Sequence, residues 1–168
     1  MAKYAGNWTS VTATAIADTT ALTDNNYPYD IQGGTATQRN VVSEVFIGGE
    51  ASSATTLILK LARCSTASVS LVAGTGGKAP VLMDATGTAP ATAPLGGNSA
   101  GTDPQRSSTL HLLNFSFNAF GGIARWVAAP GYEIIAYGTA VNAGDLNLSG
   151  FTGTGAAATS GQILFETV

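Results

Sequence analysis

The sequence predicts an all-β fold, a single antiparallel β-sandwich of jelly-roll type, and three observations carry that reading. Strong helix formers are thin, while Thr, Val, Ile, Gly and aromatic residues dominate. Apolar residues alternate with a period of two through segment after segment, the mark of a strand with one buried face. Clusters of Gly, Pro, Asn and Asp part these segments at intervals of roughly a dozen residues, the rhythm of a sandwich.

Taken in order, residues Met1 to Trp8 read as an extended N-terminal arm, because Tyr4 and Trp8 are bulky aromatics in a terminus that would otherwise fray. A first strand is expected around Thr9 to Ala17, followed by turns at Asp24-Asn25-Asn26 and Gly33-Gly34. VVSEVFIG forms a strand that ends at Gly48-Gly49. In TTLILKLAR, Leu57, Leu59 and Leu61 share one face and Lys60 points to the other. SVSLVAG reads as a further strand, closed by Gly76-Gly77.

The rhythm then breaks. Lys78 to Ser108 holds Pro80, Pro90, Pro94 and Pro104 among Gly, Ala, Ser and Thr, a long loop or arm of a kind unusual inside a compact domain. Its Val81-Leu82-Met83 cluster is too apolar to leave in water, which favours an arm lying on a neighbouring subunit.

Strand period resumes in TLHLLNFSFNAF, where Leu113, Phe115 and Phe117 face one way and Asn114, Ser116 and Asn118 the other. Gly121-Gly122, ARWVAAP, Pro130-Gly131, YEIIAYGTAV, Asn142-Ala143-Gly144-Asp145, DLNLSGF and GQILFETV complete the chain. The total is about eight to ten strands, as in a jelly roll. Apolar parity places Val45, Ile47, Leu57, Leu59, Leu61, Leu113, Phe115, Phe117, Ile134, Ile163 and Phe165 in the core.

Composition excludes much chemistry. Only 10% of the 168 residues are charged, and there is one His and one Cys. Acid–base, nucleophilic and transition-metal chemistry need clusters of such groups, and none is visible, so no catalytic residue, cofactor or metal is expected. Cys64 sits among apolar residues and reads as a small buried filler. Asp24, Asp30, Asp103 and Asp145 lie near turns without the regular spacing of a calcium loop, and read as turn caps. Gly74-Thr75-Gly76-Gly77-Lys78 lacks the first Gly and the final Ser or Thr of a phosphate loop. His111 shares parity with Leu113 and Phe115 and reads as a hydrogen-bonded packing residue or a contact on a subunit axis.

The seven Lys and Arg are scattered and the net charge is −3, which argues against a nucleic-acid partner. MAKYAGNWTS has no apolar run, and no stretch reaches the ~20 apolar residues of a membrane span, so synthesis in a cytoplasm is expected, with no membrane partner.

The C-terminal third, GGIARWVAAPGYEIIAYGTAV, DLNLSGFTGTG and GQILFETV, resembles the end of jelly-roll virion proteins of tailed bacteriophages. These include capsid decoration (cement) proteins and some tail or fibre modules. The matching features are Trp126, the Ala129-Pro130-Gly131 turn, the paired Ile134-Ile135 and a final strand running to the last residue. The resemblance implies a capsid-surface subunit, often trimeric, that clamps neighbouring major capsid subunits.

Three function classes follow: a structural decoration protein, a tail module that binds a receptor or glycan, and a small hydrolase. The absence of titratable clusters weighs most against the third. A homotrimer is expected, because a sandwich so apolar and so poor in charge gains from burying one face. The expected contacts outside the sandwich are Tyr4, Trp8, Val81, Leu82 and Met83 from the two arms, with His111 and Trp126 near subunit contacts.

Overall fold

A computed structural model describes residues 1–138, 144–153 and 155–168. Among them run eleven strands and no helix: β1 (Ala2–Thr12), β2 (Tyr29–Gln32), β3 (Arg39–Glu50), β4 (Thr56–Thr66), β5 (Val81–Leu82), β6 (Leu95–Gly97), β7 (Gln105–Asn118), β8 (Phe120–Val127), β9 (Ile134–Tyr137), β10 (Leu146–Gly150) and β11 (Ala158–Thr167). One sheet has the order β5-β1-β11-β3-β8, with β9 also paired to β3. The other has the order β6-β2-β10-β4-β7. The two pack face to face as a β-sandwich, antiparallel throughout the strand pairs.

With the short β5, β6 and β9 set aside, the pairing is nested: β4 with β7, β3 with β8, β2 with β10 and β1 with β11. A chain folded as one long hairpin and then rolled up has this order, which is the jelly roll. The wrap closes where β11 meets β3 and β10 meets β4.

The core lies between the sheets. Val45, Ile47, Leu57, Leu59, Leu61, Phe115, Ile163 and Phe165 are buried there, with Leu113, Phe117 and Ile134 packed at its margin, as the parity of their strands requires. Tyr4, Trp8, Val11, Tyr29, Ile31, Val42, Leu146 and Leu148 complete it.

Four expectations are corrected. The N-terminal arm is a sheet strand: β1 starts at Ala2 and lies between β5 and β11. Tyr4 stacks on Phe165 at 5.6 Å between ring centroids, and Trp8 is 1% exposed and donates its indole N–H to Thr159. The inward positions are Tyr4, Gly6 and Trp8, so glycine interrupts an otherwise regular apolar face. That glycine is required, because a Cβ there would strike the Tyr29 ring, just as one at Gly161 would strike Trp8.

The expected strand Thr9 to Ala17 therefore sits seven residues early, as Ala2–Thr12, and ends past a bulge at Ser10, whose φ is 52°. Lys78 to Ser108 is bound to its own sandwich. β5 pairs with β1, β6 pairs with β2, and Lys78 and Met83 donate backbone N–H groups to Asn7 and Lys3. The segment straps one edge of each sheet, at β1 and β2, which would otherwise present unpaired backbone. Leu82 packs on the core, and Val81 and Met83 stay exposed. SVSLVAG forms only isolated bridges, at Val69 and Val72. Of the strand read in YEIIAYGTAV and the turn read at Asn142-Ala143-Gly144-Asp145, residues 139–143 lie outside the described residues.

Candidate functional site

The outer faces of the two sheets differ in kind. On the β5-β1-β11-β3-β8 sheet, the outward residues meet solvent. β8 is a free edge among the described residues, and its alternation is clean: Ala124 and Trp126 turn in, while Ile123, Arg125 and Val127 turn out. Ile123 is 67% exposed, Val127 55% and Phe120 58%. Among the described residues β7 is likewise a free edge, of the other sheet, and it reaches β8 through the tight turn at Ala119. On β7, Leu110 and Leu112 are exposed. The charged feature on β8 is Arg125, which grips Glu44 with two hydrogen bonds of 2.9 and 3.2 Å.

Trp126 packs half-buried against the core opposite Val45, while Ile123 and Val127 face outward. The core-face parity read for His111 is corrected. Leu61 pairs with Leu113 but Ala62 pairs with His111, so a bulge at Leu112 turns the imidazole onto the outer face. There Lys60 Nζ stands 3.1 Å from His111 Nδ1 and 3.3 Å from the Phe151 ring centroid. His111 Nε2 lies 3.2 Å from Asp18 without the alignment of a hydrogen bond.

Next to this group Arg106 is wholly buried. Its guanidinium donates to Asp18 at 2.5 Å, to Ser149 Oγ at 2.7 Å, and to the carbonyls of Gly150 and Ile16 at 3.0 and 2.5 Å. Burial opposes ionisation of Asp18, but Arg106 overcomes it and the carboxyl is held below its ordinary range.

Beneath the loops that cover the β6-β2-β10-β4-β7 sheet lies a second buried layer. Leu146 and Leu148 point inward to the core, so Asp145, Asn147 and Ser149 point outward, and all five are buried. Asn147 pairs with Asp30 on β2 and Ala62 on β4. This register sets Asp30, Cys64 and Asp145 side by side, with one ligand-type atom of each within 4.8 Å of the others. Ser68 ties the two carboxylates together, its Oγ donating to Asp30 Oδ2 at 2.5 Å and its N–H to Asp145 Oδ2 at 2.8 Å.

Burial raises the pKa of Asp30, Asp145 and Cys64, and the Asp145 charge raises Asp30 further. Among the described residues this is the one group of three or more His, Cys, Asp or Glu side chains close enough to share a metal ion. Further out, Asp103 is pushed up to about 6 by burial and by Asp24.

The residues expected at partner contacts do not share one surface. Tyr4, Trp8 and Leu82 serve the core, Val81 and Met83 lie at the β5 edge, and His111 and Trp126 belong to different sheets. The Asp30–Cys64–Asp145 group was missed by sequence reasoning. Its available signal was DLNLSGF, where polar side chains alternate as regularly as leucines on a strand too apolar to lie on the surface.

The class of protein these features define is an all-β jelly roll with an exposed apolar edge strand and a loop-covered polar layer. No protein family, curated protein or solved structure matches the chain.

Proposed function

We propose that the chain is a structural virion protein, a decoration subunit that binds and stabilises the assembled head of a tailed phage, acting as a homotrimer. The observation that carries the reading is β8, a free edge among the described residues, where Phe120, Ile123 and Val127 stand exposed. An apolar edge strand of this kind on a charge-poor domain is suited to burial against a repeating protein lattice. The jelly roll is a recurrent capsid architecture, which supports the class by analogy alone. The sequence resemblance of the C-terminal third points the same way.

A tail module that binds glycans would instead need exposed aromatics lining a groove. The groove on the outer face of the β1 sheet is lined by Lys3, Val41, Ser43, Met83, Glu133 and Leu164, with Phe165 as its one aromatic, and that ring is 2% exposed.

The test is cosedimentation of the purified protein with assembled phage heads and with unassembled capsid subunits, alongside light scattering of the free protein. Retention on assembled heads alone, with a trimer mass, is the expected result. Equal binding to both capsid forms, or to neither, would overturn the decoration role, and a monomer mass would remove the trimer.

A further inference from the structure

The buried layer contains more polar groups than it has partners for. Ser68 uses the Oδ2 atom of both Asp30 and Asp145, and Oδ1 of each is buried without a hydrogen bond. Asn147 is wholly buried, and neither Oδ1 nor Nδ2 makes a hydrogen bond of good geometry, although the amide lies close enough to Asp30 to favour its charged form. The Cys64 thiol is buried against the same carboxylates. An unpartnered buried polar group is costly, so several side by side in one layer need a common reason.

We propose that Asp30, Cys64, Asp145 and Asn147 form a structural divalent-metal site of zinc type, with one carboxylate oxygen from each aspartate, the Cys64 thiolate and the Asn147 amide oxygen as ligands. Each ligand comes from a position fixed by sheet register: Asp30 on β2, Asn147 opposite it on β10, Asp145 just before β10, and Cys64 on β4. Structural zinc takes four protein donors in a closed tetrahedral site; here one thiolate and two carboxylates are joined by the Asn147 amide in place of the more usual imidazole or further thiolates.

The thiolate selects zinc-like ions over magnesium and calcium, which take oxygen donors. Ser68 is the outer-shell group that aims the carboxylates, holding one oxygen of each so that the other is free to bind. Gln32 steadies that loop in turn, its Nε2 donating to the Ser68 carbonyl at 3.4 Å. Binding balances by proton release: the ion enters, and the thiol proton and any proton held by the aspartates leave to solvent. Such a site is filled as the sheet closes and the loops settle over it, so the metal acts on folding rather than on a reaction. The proposal is independent of the capsid role.

The experiment uses the full chain, unfolded with denaturant and chelator and refolded with Co²⁺, Zn²⁺, Ca²⁺, Mg²⁺ or chelator alone. Expected are about one Co²⁺ per chain after gel filtration, a thiolate-to-cobalt charge-transfer band, and the intense visible bands of tetrahedral cobalt. Zn²⁺ should raise the melting temperature and Ca²⁺ and Mg²⁺ should not. Cys64→Ala, a small apolar replacement that keeps the fold, should lose the charge-transfer band and the zinc-induced shift together. Asp145→Asn should weaken cobalt binding by at least tenfold.

Cobalt retained without a thiolate band, or retained equally by Cys64→Ala, places the ion elsewhere, for instance on His111, and overturns the site. Identical melting in zinc and in chelator also overturns it, leaving a pair of aspartates that share a proton.

Discussion

Asn147 and Leu148 are neighbours on β10, both wholly buried, and they end in opposite surroundings. Leu148 enters a dry core of Leu59, Leu61, Tyr29 and Ile31, where contact and excluded water do the stabilising. Asn147 enters a layer of Asp30, Asp145, Cys64 and Ser68, where each polar atom lost water on folding and must be answered by a partner. A similar contrast separates β8 from β10: every second residue of β8 meets solvent, and none of β10 does. Burial therefore has two meanings in this molecule, and perturbations that cost the same area should not have the same effect.

The largest expected effect lies in the dry core. Trp8→Ala removes the largest wholly buried side chain and the indole N–H that donates to the Thr159 hydroxyl, which keeps only its own bond to the Val11 carbonyl. The expected loss is about 3–5 kcal/mol by denaturant titration. Deleting residues 1–8 removes most of β1 from between β5 and β11 and should abolish cooperative unfolding. A deletion protein with an unchanged melting temperature would restore the arm and break the comparison.

A slightly smaller loss is expected where the buried group is polar. Arg106→Ala leaves Asp18, the Ser149 hydroxyl and the Ile16 carbonyl without the guanidinium donor and leaves the Gly150 carbonyl with only the Ile16 N–H. Breaking such a pair costs about 3 kcal/mol or more because one charge stays behind. The double variant Arg106→Ala with Asp18→Ala should recover part of that loss, whereas adding Leu59→Ala to Trp8→Ala should only deepen it. A simple sum for the Arg106 and Asp18 pair would show that the polar layer is not coupled.

The dry half of this comparison was legible in the sequence and the polar half was not, for physical reasons. Leu57, Leu59, Leu61, Ile163 and Phe165 announce their side because alternation between water and core is written as alternation between polar and apolar residues. β1 escaped because its inward face runs Tyr4, Gly6, Trp8, with glycine in the place where the Tyr29 ring sits. β2 escaped because both of its faces are buried, so Tyr29 and Ile31 alternate with Asp30 and Gln32 without either set marking solvent. His111 was misplaced because a bulge shifts parity, and nothing local in LHLLNF signals one. The Asp30–Cys64–Asp145 group joins residues of β2 and β4 with the one just before β10, and only the register brings them together.

A smaller effect concerns the rim of the polar layer. Asp103 faces Asp24 and Tyr27, and burial together with the Asp24 charge pushes it up to about 6. A carboxyl whose pKa is higher folded than unfolded binds its proton more tightly in the fold. Its favourable contribution is complete below the unfolded value and is lost as pH rises through about 6. The melting temperature of the wild-type chain should therefore climb modestly as pH falls from neutral towards 5, and Asp103→Asn should flatten that slope. An undiminished slope in the variant would assign the effect to other carboxyls.

The smallest expected effect on the fold belongs to the solvent face of β8, and it separates stability from function. Ile123 and Val127 point outward on an edge strand, so Ile123→Lys with Val127→Lys removes no core contact, and each change should alter the free protein by less than about 0.5 kcal/mol. The lysines also guard the free edge against pairing with another chain, which should improve solubility rather than harm it. If this side is buried against assembled capsid, the same two charges would be desolvated there without partners, and retention on heads should fall by at least tenfold. Trp126→Phe, on the inward face of the same strand, gives the converse: some loss of stability from a thinner core margin, with head binding kept. A double lysine variant that folds and still binds heads at wild-type occupancy would take β8 out of the interface, and the exposed β5 edge around Val81 and Met83 would be the next surface to alter.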